Sequence, residues 1–156
     1  MAPTAAVRTG KEDVVEVPAD PSGKPLTYIF KTVSEGHLGE MAFFKVVSGT
    51  IKPGAELINQ QSAATERLAQ LYTFQGKNRT DLSSAAAGDI GVAVKLKKTH
   101  TSNTLAAKGY EVSVKPTVFP NPVMDVAIRP KAKGDEEKVA AGLSKLHEED
   151  LSLIHI

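Results

Sequence analysis

Short runs of β-branched and aromatic residues, separated by turns rich in Gly, Pro and Asn, recur along the first 115 residues. The clearest are Leu26 to Val33, Gly39 to Ser48, and Ile90 to Leu96 after Gly88-Asp89. Apolar runs of this length, bounded by turn residues, predict β-strands. Many short strands at this spacing favour an antiparallel β-barrel, because a closed sheet leaves no open edges.

The segment from Gly39 to Gly54 has the composition of a β-hairpin. An eight-residue extended run is followed by Ser48-Gly49, a second short run and the turn Lys52-Pro53-Gly54. Pro presets φ at the first corner of such a turn, and Gly tolerates the positive φ of the second. Further along, Ala55 to Asn59 and Glu66 to Phe74 predict strands, and 81–87 is compatible with a single helical turn.

The two ends of the chain have a different composition. Residues 1–22 mix Pro, Ala, Gly and charge without periodicity, which is typical of a linker. Three prolines within 116–122 predict a stiff connector. Beyond it, 124–129 alternates like a strand, and 134–149 has the apolar spacing of a helix, with acidic residues at its start. One strand and one helix cannot bury a core, so 123–150 predicts the incomplete start of a second domain.

Composition narrows the classes of function. The chain has 156 residues, 41% of them hydrophobic, which is enough for a core and excludes a disordered chain. Its formal charge is +1, so any nucleic-acid contact must come from local basic patches. The absence of Cys excludes disulfides and thiolate metal sites. No apolar run in the sequence is long enough to span a membrane, and the first residues lack the apolar core of a secretory signal.

Four motifs in one order resemble elongation factor G, a translational GTPase. They are the Val-Val-Ser-Gly-Thr-Ile-Lys-Pro-Gly of residues 46–54, the Ala-Gly-Asp-Ile of 87–90, the run 95–105 ending in Thr-Ser-Asn-Thr-Leu, and the Phe-Pro-Asn-Pro-Val of 119–123. Residues 128–131 and 146–150 extend the match, and Asn103 stands where the family commonly has Asp. Motifs in register are far more specific than any one of them alone.

The resemblance implies a fold and a division into domains. We expect an antiparallel β-barrel of the translation-factor type at 23–115, the second domain of the family. The connector 116–122 then leads to a βα unit at 123–150, the incomplete start of an α+β, ferredoxin-like third domain. Residues 1–22 are expected to link this fragment to a GTPase domain.

The same resemblance implies the activity and what this chain lacks. The sequence contains neither the phosphate-binding motif Gly-x-x-x-x-Gly-Lys-Ser/Thr nor the guanine-binding motif Asn-Lys-x-Asp. We therefore expect the fragment not to be an enzyme and to bind no cofactor, with GTP and Mg²⁺ held by the missing GTPase domain. The expected partners are the small ribosomal subunit and that GTPase domain, in a cytoplasmic, monomeric protein with no membrane contact.

The last six residues, 151–156, depart from the family, which continues with Pro after the Glu-Glu-Asp of 148–150. Leu-Ser-Leu-Ile-His-Ile is also what a transposon end used in sequencing libraries would encode. We expect these residues to be an adapter artefact.

Basic residues near strand ends and turns are the candidates for ribosomal RNA contacts, because phosphate contacts supply most sequence-independent affinity. Lys45, in an otherwise apolar strand, matches a basic position of the family and is the first choice. The other candidates are Lys52, Arg67, Lys77, Arg79, Lys95 and Lys97. Strand alternation would place Lys95 and Lys97 on one face. For each residue singly, an ordinary solvated side chain is the competing interpretation.

No other chemistry is favoured. The four histidines have no metal-ligand spacing, and His147 beside Glu148 fits a solvated helix end better than a metal site. No serine has a neighbouring His and acid that would indicate a nucleophile. Two alternatives to elongation factor G stay open. One is the same barrel in a ribosome-protection or release-factor type of translational GTPase, and the other is a stand-alone barrel that binds RNA or protein.

Overall fold

The computed structural model describes residues 4–8, 14–35, 39–76 and 78–154. Within these ranges it contains thirteen β-strands and one α-helix, so the chain is mainly β, as predicted. The strands are β1 Thr4–Arg8, β2 Val14–Val17, β3 Leu26–Glu35, β4 Gly39–Ser48, β5 Thr50–Ile51, β6 Ala55–Asn59, β7 Thr65–Leu68, β8 Leu71–Gln75, β9 Asn78–Asp81, β10 Ala85–Ala86, β11 Ile90–Val94, β12 Thr104–Ala106 and β13 Val112–Val114. The helix α1 is Glu136–Glu149.

Eight strands form one antiparallel sheet in the order β7-β6-β12-β3-β4-β11-β8-β9. Strand β7, at one edge, ends at Leu68, while β8, next to the opposite edge, begins at Leu71. Because only Ala69 and Gln70 connect them, the two sides of the sheet must approach each other. Leu68 and Leu71 are accordingly buried in the same core, and the sheet curls into a barrel-like shape.

The core inside the curled sheet is aliphatic around one large aromatic ring. Phe44 is fully buried there, together with Ile29, Val46 and Leu105. Burying one such side chain stabilises the fold by roughly 1.5–3 kcal/mol. At Gly91, on the neighbouring β11, an added Cβ would lie 2.6 Å from Cζ of Phe44, so the ring occupies the space that a side chain would need. The absence of a side chain at this position therefore allows the ring to sit against the sheet.

The prediction that residues 1–22 are a linker is wrong for the part of them that is described. Strand β1 pairs with both β2 and β13 in a three-stranded antiparallel sheet. Ala6 and Val17 are buried in a second apolar cluster with Leu26, Val47 and others. A segment that buries apolar side chains against the barrel is part of its structure, although its sequence lacks a sustained period.

The predicted hairpin is wrong in its pairing. Strand β5 pairs with β10 and not with β4, so Ser48-Gly49 is a corner between two sheets. Gly49 has φ +76°, and its N–H donates to the carbonyl of Asp20 at 2.8 Å. The turn Lys52-Pro53-Gly54 is confirmed, since Gly54 has φ +85° and the N–H of Ala55 donates to Lys52 O. The corner forms because the N–H of Gly49 is hydrogen-bonded to the 20–23 turn and is therefore not available for pairing within a hairpin.

The helical turn predicted within 81–87 is also wrong. Strand β9 ends at Asp81, and Ala85–Ala86 forms β10 against β5. Ala85 is fully buried in the barrel core, and the N–H of Ala86 donates to the Asp89 carboxylate at 2.8 Å. Burial of one alanine and pairing with β5 outweigh the weak helical preference of this short segment.

The helix predicted at 134–149 is confirmed, but the strand predicted at 124–129 is not. Residues 115–130 form no regular secondary structure and are almost entirely exposed. No neighbouring strand in the described part of the chain pairs with this segment, and a strand without partners is not stable. Helix α1 has no buried residue and touches the barrel through its C-terminal end, where Glu149 Oε1 accepts from the N–H of Ser34 at 2.9 Å.

Candidate functional site

A buried carboxylate organises the loop that carries the densest group of lysines. Glu66, on β7, is 4% exposed. Its carboxylate accepts the backbone N–H groups of Lys97 at 3.1 Å and Lys98 at 2.6 Å, and the hydroxyl of Thr99 at 3.1 Å. Three donors around one carboxylate compensate much of the cost of burying it. The backbone after β11 is therefore held against β7.

A second buried side chain completes the support of this loop. Asn59 is fully buried, and its amide nitrogen donates to the carbonyl of Lys98 at 2.9 Å and to Oδ1 of Asn103 at 2.8 Å. Oδ1 of Asn103 also accepts from the N–H of His100 at 3.1 Å. In both contacts Asn103 acts as an acceptor, so the Asp that the family commonly has could serve the same role.

The loop presents its lysines to solvent, but not by strand alternation. Lys95, Lys97 and Lys98 are exposed, while Leu96 between them is buried in the core. Strand β11 ends at Val94, and Lys95 has φ +60°, so the predicted strand geometry for Lys95 and Lys97 is wrong. A left-handed residue turns the chain, and the contacts of Glu66 then fix the direction of the backbone.

Lys45 is exposed on the outer face of the main sheet, as predicted. It lies opposite Tyr28 of β3 on one side and opposite Ile90 of β11 on the other. Strand β8 pairs with β11 on its far side, in the register Val92 to Tyr72. A row of outward-facing positions thus crosses the sheet from Tyr28 through Lys45.

A second basic residue lies on the same face, at the edge of the sheet. Arg79, on the edge strand β9, lies opposite Phe74 and is exposed. Its guanidinium carbon is 4.7 Å from the centroid of the Tyr72 ring, a cation–π contact. Strands β11 and β8 lie between β4 and β9, so Lys45 and Arg79 are at least three interstrand spacings apart, about 14 Å measured along the sheet. The tertiary structure therefore brings together two candidates that are 34 positions apart in sequence.

Aromatic side chains on β3, β4 and β8 lie along this face near the two basic residues. The ring of Phe43 is 6.3 Å from that of Phe30 and 6.1 Å from that of Phe74, both in tilted arrangements. Phe30 is 41% exposed, and Ile90 is 57% exposed. Under the rings a small apolar cluster includes Met41 and other buried residues. Sequence reasoning missed this face, although the adjacent pair at 43–44 was a signal that one ring points inward and the other outward.

The remaining candidates lie elsewhere. Arg67 is exposed on the other edge strand, β7, where it lies opposite Glu56. Lys52 is exposed at the start of its turn, where the N–H of Gly54 donates to the carbonyl of Leu68. Lys77 lies outside the described residues. The structure thus supports two basic groups, the outer face with Lys45 and Arg79 and the loop at 95–98.

Over the described ranges, no group of three His, Asp or Glu side chains could hold a metal ion. No helix in the same part of the chain is long and apolar enough to cross a membrane.

Comparison with known proteins finds families that match both the barrel and the segment that contains the helix. The family model of elongation factor G domain 2 matches residues 24–108, and that of elongation factor G domain III matches residues 119–155. The chain belongs to the elongation factor G family. Its match to the second domain and the start of the third confirms the fragment that the four motifs predict. The matched range of domain III includes most of 151–156, whose origin stays a prediction.

A solved crystal structure of a protein from Thermus thermophilus supports the same assignment. It is 31% identical in sequence and superimposes with a TM-score of 0.71 over 85% of this chain. The matched region is 20% of the Thermus chain, so this elongation factor G chain spans about a fifth of that protein. Membership of this family associates the chain with translation.

Proposed function

We propose that this barrel docks on the small ribosomal subunit through the face that carries Lys45 and Arg79. The observation that carries the proposal is the outer face of the sheet, on which two exposed cations lie beside aromatic and aliphatic side chains. Cations on one face can contact successive phosphates, and such contacts supply affinity independent of sequence. The lysines at 95, 97 and 98 form a second contact region.

The rigidity of both regions supports this assignment. Lys45 lies on β4, an inner strand of the eight-stranded sheet, and the guanidinium of Arg79 is held over Tyr72. The 95–98 loop is fixed by Glu66 and Asn59. Because the backbones of both regions are already ordered in the folded barrel, binding costs little additional conformational entropy.

In the complete factor, we propose that the barrel couples a GTPase domain to ribosomal translocation. This chain has no phosphate-binding loop of its own, so nucleotide binding and hydrolysis belong to another part of a longer protein. The contribution of this chain is mechanical and electrostatic, in the cytosol, and involves no chemistry.

The test is binding of the 156-residue chain to purified small ribosomal subunits as a function of salt. The double variant Lys45→Glu with Arg79→Glu is expected to weaken binding by about tenfold or more and to flatten the salt dependence, since two phosphate contacts are lost. Lys108→Glu with Lys138→Glu is the matched control, because both lysines are exposed and lie outside the two basic regions. Equal weakening by both pairs would show that only net charge matters and would overturn the proposed face.

A further inference from the structure

Three phenylalanine rings contact one another on the outer face of the main sheet. The ring centroid of Phe43 on β4 is 6.3 Å from that of Phe30 on β3 and 6.1 Å from that of Phe74 on β8. Phe30 is 41% exposed, and the other two side chains are half-buried. These three residues, the aromatic stripe, therefore present parts of their rings to solvent along a continuous line across the sheet.

The rings of the aromatic stripe are fixed by the side chains beneath them. Phe43 and Phe74 pack against a cluster in which Met41, Tyr72 and Val92 are buried. A ring that is already packed on one side loses little conformational freedom when a flat ligand stacks on its other side. The aromatic stripe is therefore preorganised for flat apolar groups.

Basic side chains lie around the aromatic stripe. Lys45 is exposed two positions after Phe43 on β4, and strand alternation places both on one face. Lys31 is exposed and lies opposite Phe43 on β3, while Arg79 is exposed on the edge strand β9. Asp81, on the same strand as Arg79, offsets one of these three charges. The surroundings of the rings therefore keep a positive excess.

Aromatic rings interleaved with cations on a sheet suit single-stranded nucleic acid. In a duplex the bases stack on one another, so a protein reaches only the backbone and the base edges, whereas an unpaired base has a free face that can stack on a ring. Cations beside the ring then contact the flanking phosphates. A neutral apolar partner would use the rings but would gain nothing from the cations around them.

We propose that the aromatic stripe binds unpaired bases of an RNA strand, and that Lys31, Lys45 and Arg79 contact the adjacent phosphates. The inference rests on the proposed function and specifies it, because it names unpaired nucleotides as the part of the ribosomal RNA that this face contacts. Stacking is tolerant of sequence, since every base has an aromatic face. The chain therefore distinguishes single-stranded RNA from a duplex and does not select one base sequence.

The experiment is titration of the 156-residue chain with two fluorescent probes at equal salt. One is an RNA of about ten nucleotides without internal pairing, and the other is the same RNA annealed to its complement. The single strand is expected to bind about tenfold more tightly than the duplex. Equal binding of the two probes, or tighter binding of the duplex, would overturn the proposal.

A substitution in the aromatic stripe tests the ring itself. Phe30→Leu keeps an apolar side chain but removes the ring, and it is expected to weaken single-strand binding by about tenfold. The salt dependence is expected to stay the same, because no phosphate contact is lost. Phe30→Tyr retains a ring and is expected to bind as the native chain does.

Phe119→Leu is the matched control. Phe119 is 42% exposed, close to the value for Phe30, but it lies in the connector at 116–122 and outside the sheet. Its substitution is expected to leave both probes unaffected, and circular dichroism is expected to show the native fold for every variant. Equal affinities of the Phe30→Leu and Phe119→Leu variants for the single strand would contradict stacking on the aromatic stripe.

Binding to purified small ribosomal subunits separates this inference from the proposed function. If Phe30→Leu changes neither single-strand nor subunit binding while Lys45→Glu with Arg79→Glu weakens subunit binding, the face contacts phosphates alone. That result overturns stacking and leaves the proposed function in place. If Phe30→Leu weakens subunit binding but not single-strand binding, the ring contacts a ribosomal protein, and the inference is overturned as well.

Discussion

The Glu66 carboxylate accepts the backbone N–H of Lys98 at 2.6 Å, which joins an edge strand of the barrel to the loop with the most lysines. The two residues are 32 positions apart, and Glu66 is buried. This buried carboxylate fixes the backbone of a surface loop through hydrogen bonds to its N–H groups. The positions of the lysines thus depend on a residue that is itself almost completely shielded from solvent.

Removal of this carboxylate is expected to destabilise the fold. Glu66→Ala leaves the N–H groups of Lys97 and Lys98 without an acceptor and is expected to cost about 3 kcal/mol, whereas Glu66→Gln retains one oxygen and should cost less. Urea unfolding measures both. The control is Glu56→Ala, an exposed acid on the adjacent strand, which is expected to change stability by less than about 0.5 kcal/mol. Equal effects at 66 and 56 would contradict the anchoring role.

Gly91 is expected to tolerate no side chain. Gly91→Ala places a Cβ against the buried ring of Phe44 and is expected to destabilise the protein by about 1–3 kcal/mol, because neither β11 nor the ring has room to move. Gly142→Ala is the matched change, since nothing lies within 4 Å of its Cβ and the position is helical. It is expected to raise helix stability by about 0.5–1 kcal/mol. Gly91→Ala is expected to lower the temperature of thermal unfolding, whereas Gly142→Ala is expected to leave it unchanged and to raise the helical content measured by circular dichroism.

Amide hydrogen exchange is expected to divide the chain into a protected and an unprotected part. Strand β11 is hydrogen-bonded on both sides and should exchange slowly. Residues 124–148 have no strand partner and no buried side chain, so their amides should exchange by local opening. Protection of 124–148 equal to that of 88–96 would contradict the prediction.

The turn at Asp20 is expected to weaken in acid. Hydrogen bonds from the hydroxyl and the N–H of Ser22 hold the pKa of Asp20 below its ordinary value of 3.8. A lowered pKa in the folded state means that the ionised form adds stability above about pH 4, and that this contribution is lost as pH falls through the lowered pKa. Ser22→Ala removes the larger cause and should raise the pKa of Asp20 in an NMR titration. Ser83→Ala, at another exposed serine, should leave it unchanged.

Local pattern was enough to predict most strands, because alternation and turn residues act within a few positions. The turn at Lys52-Pro53-Gly54 and the helix α1 followed from such signals. The pairing of β5 did not, because the choice between β4 and β10 is made by the corner at Gly49 and by contacts with the 20–23 turn. Strand β1 was missed for a similar reason, since its pairing with β13 joins segments that are about a hundred residues apart.

In the candidate site, too, the sequence identified single residues but not their arrangement. Composition and motifs identified Lys45 and Arg79 as separate candidates, and exposure of Lys45 followed from its place in an apolar strand. Their position on one face depends on the pairing of three pairs of strands, which no local pattern contains.

Residue types and their order along the chain were sufficient for the family, the mainly β class and the incomplete second unit. Three features needed the folded chain. Strands β1 and β2 belong to the folded part, the Glu66 carboxylate holds the backbone of the lysine loop, and 124–129 pairs with no strand in the described part of the chain. Each of these depends on whether distant segments meet, and that is settled by burial and hydrogen bonding across the whole chain.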